Sequence, residues 1–245
     1  MATHLGLAFA EKGCAIGQVW SRNANHAAAL ADRLGAATAA DVERLDTDSD
    51  LYIIAVSDDA IADVASHLKL GDRMVVHTSG ATPLSAIATA SSRTGVLWSP
   101  QTFVKDVAMD YSQLIFSVEG NSDESTAFIE KMALALTPTV HRMDSPTRLR
   151  CHLAAVMVNN FGNALNAMAE QMLQADGFDL SLLRPIIRQT AAKAENDGLW
   201  RLQTGPAARN DRNTIEAHRR ILAQQNPRLL QLYDAFTQII TDETH

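Results

Sequence analysis

The 245-residue sequence holds only two cysteines, Cys14 and Cys151, far apart and outside any CxxC or metal-ligand spacing. That excludes a disulfide scaffold and a thiolate metal cluster, so both read as buried or incidental thiols, and no metal site is expected. No apolar run approaches the ~20 residues needed to cross a bilayer. Nor does a basic stretch precede an apolar one at the start. A cytoplasmic protein without a membrane partner is expected. Lysine and arginine number 21 against 28 acidic residues, a net charge of −7. Such a chain lacks the basic face a nucleic-acid partner would require. What is present, 47% hydrophobic and 20% charged residues, is the composition of an ordinary globular protein, long enough for one large domain or two modest ones.

Short apolar runs alternate with helical patterns through about residue 142. The first segment, His4 to Lys12, is helical and stops at Gly13. Ala15 to Trp20 reads as a strand, Asn25 to Leu34 as a helix ending at Gly35, and Asp50 to Val56 as a strand. The continuous apolar run of Leu51-Tyr52-Ile53-Ile54 suits a parallel strand covered on both faces. A helix over Asp59 to Leu68, a strand at Met74 to His77, a helix at Leu84 to Ala90 and a strand at Val96 to Trp98 follow. Then come a strand at Leu114 to Val118, a helix at Glu124 to Leu136 and a strand at Thr139 to Arg142. This alternation predicts an α/β fold with a Rossmann-like, doubly wound parallel sheet. The turn chemistry of Met143 to Thr147 marks a boundary, giving residues 1–143 as the α/β domain and 144–245 as an all-helical domain. Its helical patterns span Arg148 to about Ala175, Leu182 to Asn196, Asn213 to Ala223 and Arg228 to Ile240.

One more absence is telling. In a dinucleotide site, strand one and a glycine-rich turn precede a helix whose free N–H groups hold the pyrophosphate. Here a helical pattern opens at residue 3 with nothing ahead of it. In the usual strand order the absent strand would sit between the Ala15 and Leu51 strands, and losing it leaves backbone groups unpaired inside the fold.

Met1-Ala2-Thr3-His4-Leu5 resembles the tail of a Gly-x-Gly-Asn-Val-Ala-Thr-His-Leu stretch in a bacterial family. That family joins a Rossmann-like NADP oxidoreductase domain to a helical domain of unknown function. It is a cousin of pyrroline-5-carboxylate reductase and the 6-phosphogluconate dehydrogenase superfamily. The resemblance also rests on Trp20-Ser21-Arg22, Val76 to Gly80, Pro100 to Phe103, His152 to Val156 and Thr204 to Ala207. It implies dimerisation through the helical part, with the active site in a cleft between domains. Met1 stands where relatives tend to carry valine, and GUG reads either as valine or as a start. A start codon assigned too far downstream is therefore expected, with a genuinely shortened protein that no longer binds cofactor as the alternative.

Ala2 and Thr3 lie in the stretch that resembles the end of the glycine loop, and the resemblance makes them cofactor-binding candidates. At the end of strand two, Ser21-Arg22-Asn23 replaces the acidic residue that NAD-preferring enzymes place there; a guanidinium beside a hydroxyl suits a 2′-phosphate, favouring NADP over NAD. Val56 and Ser57 follow the next strand, where ligands bind, and Asp58 or Asp59 serves as a helix cap or as part of the site. Ser79 and Gly80 follow another strand end, the glycine allowing close backbone approach to a ring. Gln101 and Thr102 follow a third. The resemblance assigns these neighbourhoods to nicotinamide and substrate, and the alternative for each is a plain polar loop.

The long helix is more informative. At about 100° per residue, His152, Asn159, Asn163 and Glu170 fall within about 20° of one line, with Asn166 about 40° and Asn160 about 80° away. Leu153, Ala154, Met157, Phe161, Leu165 and Met168 form the opposite arc. An uncharged face from His152 through Asn166 suits a substrate cleft or a dimer seam better than open water. The resemblance implies an Asn with a polar group meeting a substrate carbonyl, so His152 and Asn160 are the catalytic candidates and Asn159 and Asn163 substrate contacts. His152 is the titratable group on this face suited to donate a proton near neutral pH. Thr204 and Arg209 either belong to a connecting loop, with Asp211 or Asn213 capping a helix, or reach a substrate carboxylate or phosphate.

These observations predict an NADP-dependent oxidoreductase moving a hydride to or from a small C=O or C=N substrate, as a homodimer. A non-catalytic dimeric ligand-binding or scaffold protein is the alternative.

Overall fold

The computed structural model describes residues 1–104, 107 and 109–245. The chain divides into two compact units, Met1–Ala164 and Leu165–His245. In the first, α1 (Ala2–Glu11), β1 (Gln18–Val19), α2 (Ala24–Leu34) and β2 (Ala37–Thr38) lead into β3 (Leu51–Ile54), α3 (Asp58–His67), β4 (Met74–His77) and β5 (Arg93–Trp98). Then follow β6 (Ile115–Gly120), α4 (Asp123–Leu134), β7 (Thr139–Arg142) and α5 (Ser145–Ala155). The predicted helix at Leu84 to Ala90 forms only a short 3-10 turn, Leu84–Ile87.

The main sheet has strand order β3-β4-β5-β6-β7, while β1 and β2 pair in a separate two-stranded parallel sheet. Apolar residues cover both faces of the main sheet. In β4, Met74 and Val76 pack with Leu5 and Phe9 of α1 and Ile129 of α4, whereas Val75 between them packs with Ile61 and Ala65 of α3. That alternation, with every residue of β4 buried, is what a continuous apolar strand in a doubly covered sheet produces. The α/β expectation holds, with one departure: β5 and β6 run antiparallel, while the other pairs are parallel. Between β5 and β6 no α-helix lies among the described residues, and without such a crossover the chain returns antiparallel.

The Asp144 side chain caps α5 by accepting from the Thr147 N–H (2.8 Å), and Pro146 fits the first turn. The first compact unit includes α5 because Arg148, 1% exposed, is tied into the sheet. Beyond Ala155 the predicted single helix is broken by a π-helical stretch, Val156–Phe161, before α6 (Gly162–Ala175) resumes. A π turn closes i→i+5 bonds and so holds an extra residue. The uniform 100° projection that aligned His152 with Asn159 and Asn163 therefore stops applying at Val156.

The second unit holds most of α6, a 3-10 turn Leu180–Leu183, α7 (Arg184–Lys193), a 3-10 turn Leu199–Leu202, α8 (Arg212–Gln225) and α9 (Pro227–Thr244). Asp211 is the cap of α8, accepting from the Thr214 N–H and hydroxyl. Across α8 and α9, Arg219 pairs with Asp234 (2.7 Å) and His218 meets the Tyr233 hydroxyl (2.9 Å). No helix among the described residues is long and apolar enough to cross a membrane.

Candidate active site

The site is assembled at the carboxyl ends of β4 and β5, where loops project beyond a parallel sheet and ligands bind. After β4, the turn at Ser79 is held by its own hydroxyl, which accepts from the Ala81 and Thr82 N–H groups (3.1 and 2.9 Å). The Ser79 N–H donates to His77 Nδ1 (3.2 Å). That bond needs an unprotonated Nδ1. Burial, and then the charge of Arg148, lower the His77 pKa from 6.5 to about 4, while the Pro83 backbone pulls weakly the other way. His77 Nε2 and Ser99 Oγ are buried without a geometrically satisfied partner among the described residues.

Gly80 has a steric reason to be glycine. A Cβ there would lie 2.7 Å from Trp98 Nε1 and 2.8 Å from His152 Cδ2, closer than real side chains pack. The Trp98 and His152 rings lie 6.0 Å apart at 43°. The half-buried His152 imidazole makes no hydrogen bond among the described residues, leaving both nitrogens available to a ligand. One π turn later, Asn159 Nδ2 donates to Thr102 Oγ1 (2.8 Å) in the loop after β5. That loop is in turn tied to α1, since His4 Nε2 bonds the Val104 carbonyl (2.8 Å) and its ring packs on Phe103. The Tyr111 hydroxyl donates to the His4 carbonyl (2.7 Å).

Under this surface lies a buried ionic bracket. Arg148 Nη1 pairs with Glu119 at the end of β6, and Nη2 donates to the Thr82 carbonyl (2.7 Å) and Ser145 Oγ (3.1 Å). Ser145 donates to Glu119 from its N–H (3.0 Å) and its hydroxyl (2.8 Å), and its Oγ accepts from the Leu84 N–H (3.0 Å).

The profile of a family described as a domain of unknown function, DUF2520, matches residues 114–240, more than half of the chain. The chain belongs to the DUF2520 family. Among solved structures it is similar to protein BF3122 of Bacteroides fragilis, described as an NADP oxidoreductase, with 33% identity, 98% of this chain and 94% of that one covered, and a TM-score of 0.88. It is similar to protein TM1727 of Thermotoga maritima at 22% identity, 100% and 96% coverage and a TM-score of 0.83. A reductive aminase of Aspergillus terreus, in complex with NADPH and ethyl-5-oxohexanoate, shares the fold at 15% identity, 99% and 91% coverage and a TM-score of 0.75. No curated protein matches the sequence.

In this DUF2520 protein, the structure brings His152 together with Gly80, and Asn159 with Thr102, while Gln101, Asn160 and Asn163 are exposed. Ala2 and Thr3 stand in the first turn of α1, which has neither a side-chain cap nor an acidic residue. Its free N–H groups can meet an anion. Arg22 is exposed without an ion pair among the described residues. Asn23 caps α2, accepting from the Asn25 N–H (3.0 Å), and Ser21 Oγ accepts from the Asn23 N–H (3.3 Å). Val56 is half-buried, and Ser57 is the cap position of α3 without a side-chain bond, so Asp58 and Asp59 fall in its first turn and neither is the cap. Thr204 and Arg209 are exposed in the second unit. Sequence reasoning passed over Trp98, Arg148 and Glu119. A charged pair 29 residues apart leaves no periodic signal, and Trp98 reads only as a strand residue.

Proposed function

We propose that this protein is an NADP(H)-dependent oxidoreductase acting on a small C=O or C=N compound. The observation that carries the reading is the convergence of His152 and Asn159 with the Gly80 and Thr102 loops at the carboxyl edge of the sheet. The described relative at 33% identity supports the same cofactor class. The residues fit such a cofactor: an uncapped α1 N-terminus beside Ala2 and Thr3 for phosphate, the exposed Arg22 with Ser21 and Asn23 for a 2′-phosphate, and Val56, Ser57, Ser79 and Gly80 along the strand ends. When bound, the cofactor supplies the hydride.

The chain's own residues then orient the substrate and manage a proton. His152 would hold a proton for the developing oxygen or nitrogen, with Asn160 as a second polar contact. Asn159, braced by Thr102, would position the substrate with Gln101 and Asn163. The same reading makes the protein a homodimer. Leu149, Leu153, Met157 and Phe161 are each at least half exposed along α5 and the π turn, and a second copy would cover them.

The test is NADPH oxidation, followed by absorbance, with cyclohexanone and allyl amine as probes, the pair bound in a structure of the Aspergillus reductive aminase. Turnover should appear and should fall by about 10²–10⁴-fold in His152→Asn, as for a lost general acid. NADPH binding without turnover on any carbonyl or imine probe would instead favour a ligand-binding protein.

A further inference from the structure

Among the described residues His152 has no hydrogen bond to fix it, so its place over Gly80 depends on how α5 is seated against the loop after β4. Arg148 ties α5 to that loop. Arg148 lies one helical turn before His152, on the same side of α5, about 6 Å away along the axis. We propose that Arg148 is a positioning residue: its guanidinium, clamped by Glu119 and donating to the Thr82 carbonyl, sets the height and rotation of α5 so that His152 stands over Gly80 and against Trp98.

Three observations support this. Arg148 is 1% exposed, and arginine is almost never sealed away unless paired, so the site is built around its charge. Its fork ties α5 to two other elements, through Glu119 in β6 and Thr82 in the loop, and also bonds Ser145 at the start of its own helix. A lysine ammonium, a single point charge, cannot reproduce that planar geometry. The loop is also pinned at both ends, by His77 at Ser79 and by Arg148 and Ser145 at Thr82 and Leu84. Between those pins Gly80 has no slack, since even a methyl group would meet Trp98 and His152. A buried pair of this kind adds little net stability over an apolar replacement, so accurate placement is the better account of it.

This inference rests on the reading of His152 as a site residue, yet it can be tested without cofactor or substrate. In a chain carrying Trp20→Phe and Trp200→Phe, Trp98 is the remaining indole. Imidazolium quenches a neighbouring indole more strongly than neutral imidazole does. Trp98 emission should therefore drop as His152 gains its proton, and the step should vanish in His152→Gln. With Arg148→Met the step should shrink at least twofold while the helical circular dichroism is kept. An unchanged step in folded Arg148→Met overturns the proposal. If that variant does not fold, Arg148→Lys, which keeps the charge beside Glu119 but loses the fork, should shrink the step likewise, and an unchanged step there overturns it equally. Absence of NADPH turnover in the parent chain would count against the proposed function and leave this result standing.

Discussion

Acidification should weaken the first unit through His77 before it weakens it through any carboxylate. His77 is fully buried, and burial followed by the Arg148 charge lowers its pKa from 6.5 to about 4. Between those values the unfolded chain binds a proton that the folded chain refuses, so stability rises with pH across the window. The contribution is complete above pH 6.5, declines as pH falls, and is gone below about 4. At about 1.4 kcal/mol for each pH unit, the window is worth roughly 3 kcal/mol. Asp110 and Asp144, held below the usual carboxylate range by hydrogen bonds from Ser112 and Thr147, act only at the acid end of the window and beneath it. Urea unfolding of the chain carrying Trp20→Phe and Trp200→Phe, followed by Trp98 emission between pH 7.5 and 4.5, should show a falling midpoint. His77→Gln, which keeps an acceptor for the Ser79 N–H but cannot titrate there, should flatten most of that fall. An equal fall in the variant and the parent would refute the reasoning.

Arg22→Ala should weaken NADPH about ten- to a hundredfold more than NADH, the loss of one charge-assisted phosphate contact; equal losses by calorimetry would remove Arg22 from the cofactor. Gly80→Ala should destabilise the first unit by about 1–3 kcal/mol, because the new methyl meets two rings; a urea midpoint unchanged from the parent would mean that Trp98 and His152 can move aside. Val158, 80% exposed on the π turn, lies beside the apolar stripe, so Val158→Glu should shift a dimer toward monomer in sedimentation; a monomeric parent at micromolar concentration would dispose of the seam.

The α/β class, the run of parallel strands and the placement of the loops that carry polar residues were legible in the sequence. The reason is that burial on both faces imposes a continuous apolar run on β3 and β4, and turn residues mark where each run ends. The family was legible as well, from short motifs rather than periodicity. Tertiary structure decided what depends on distant neighbours or on departures from regular geometry. The π turn at Val156–Phe161 departs from the constant 100° step of a regular helix, and the packed chain decides that His152 meets Gly80 and Asn159 meets Thr102. The antiparallel seating of β6 carries Glu119 to Arg148, a pairing with no local sequence cause. Gly80 reads in sequence as a flexible turn residue. Only the packed fold makes it the gap into which Trp98 and His152 close, because steric exclusion is set by side chains 18 and 72 residues away in the chain.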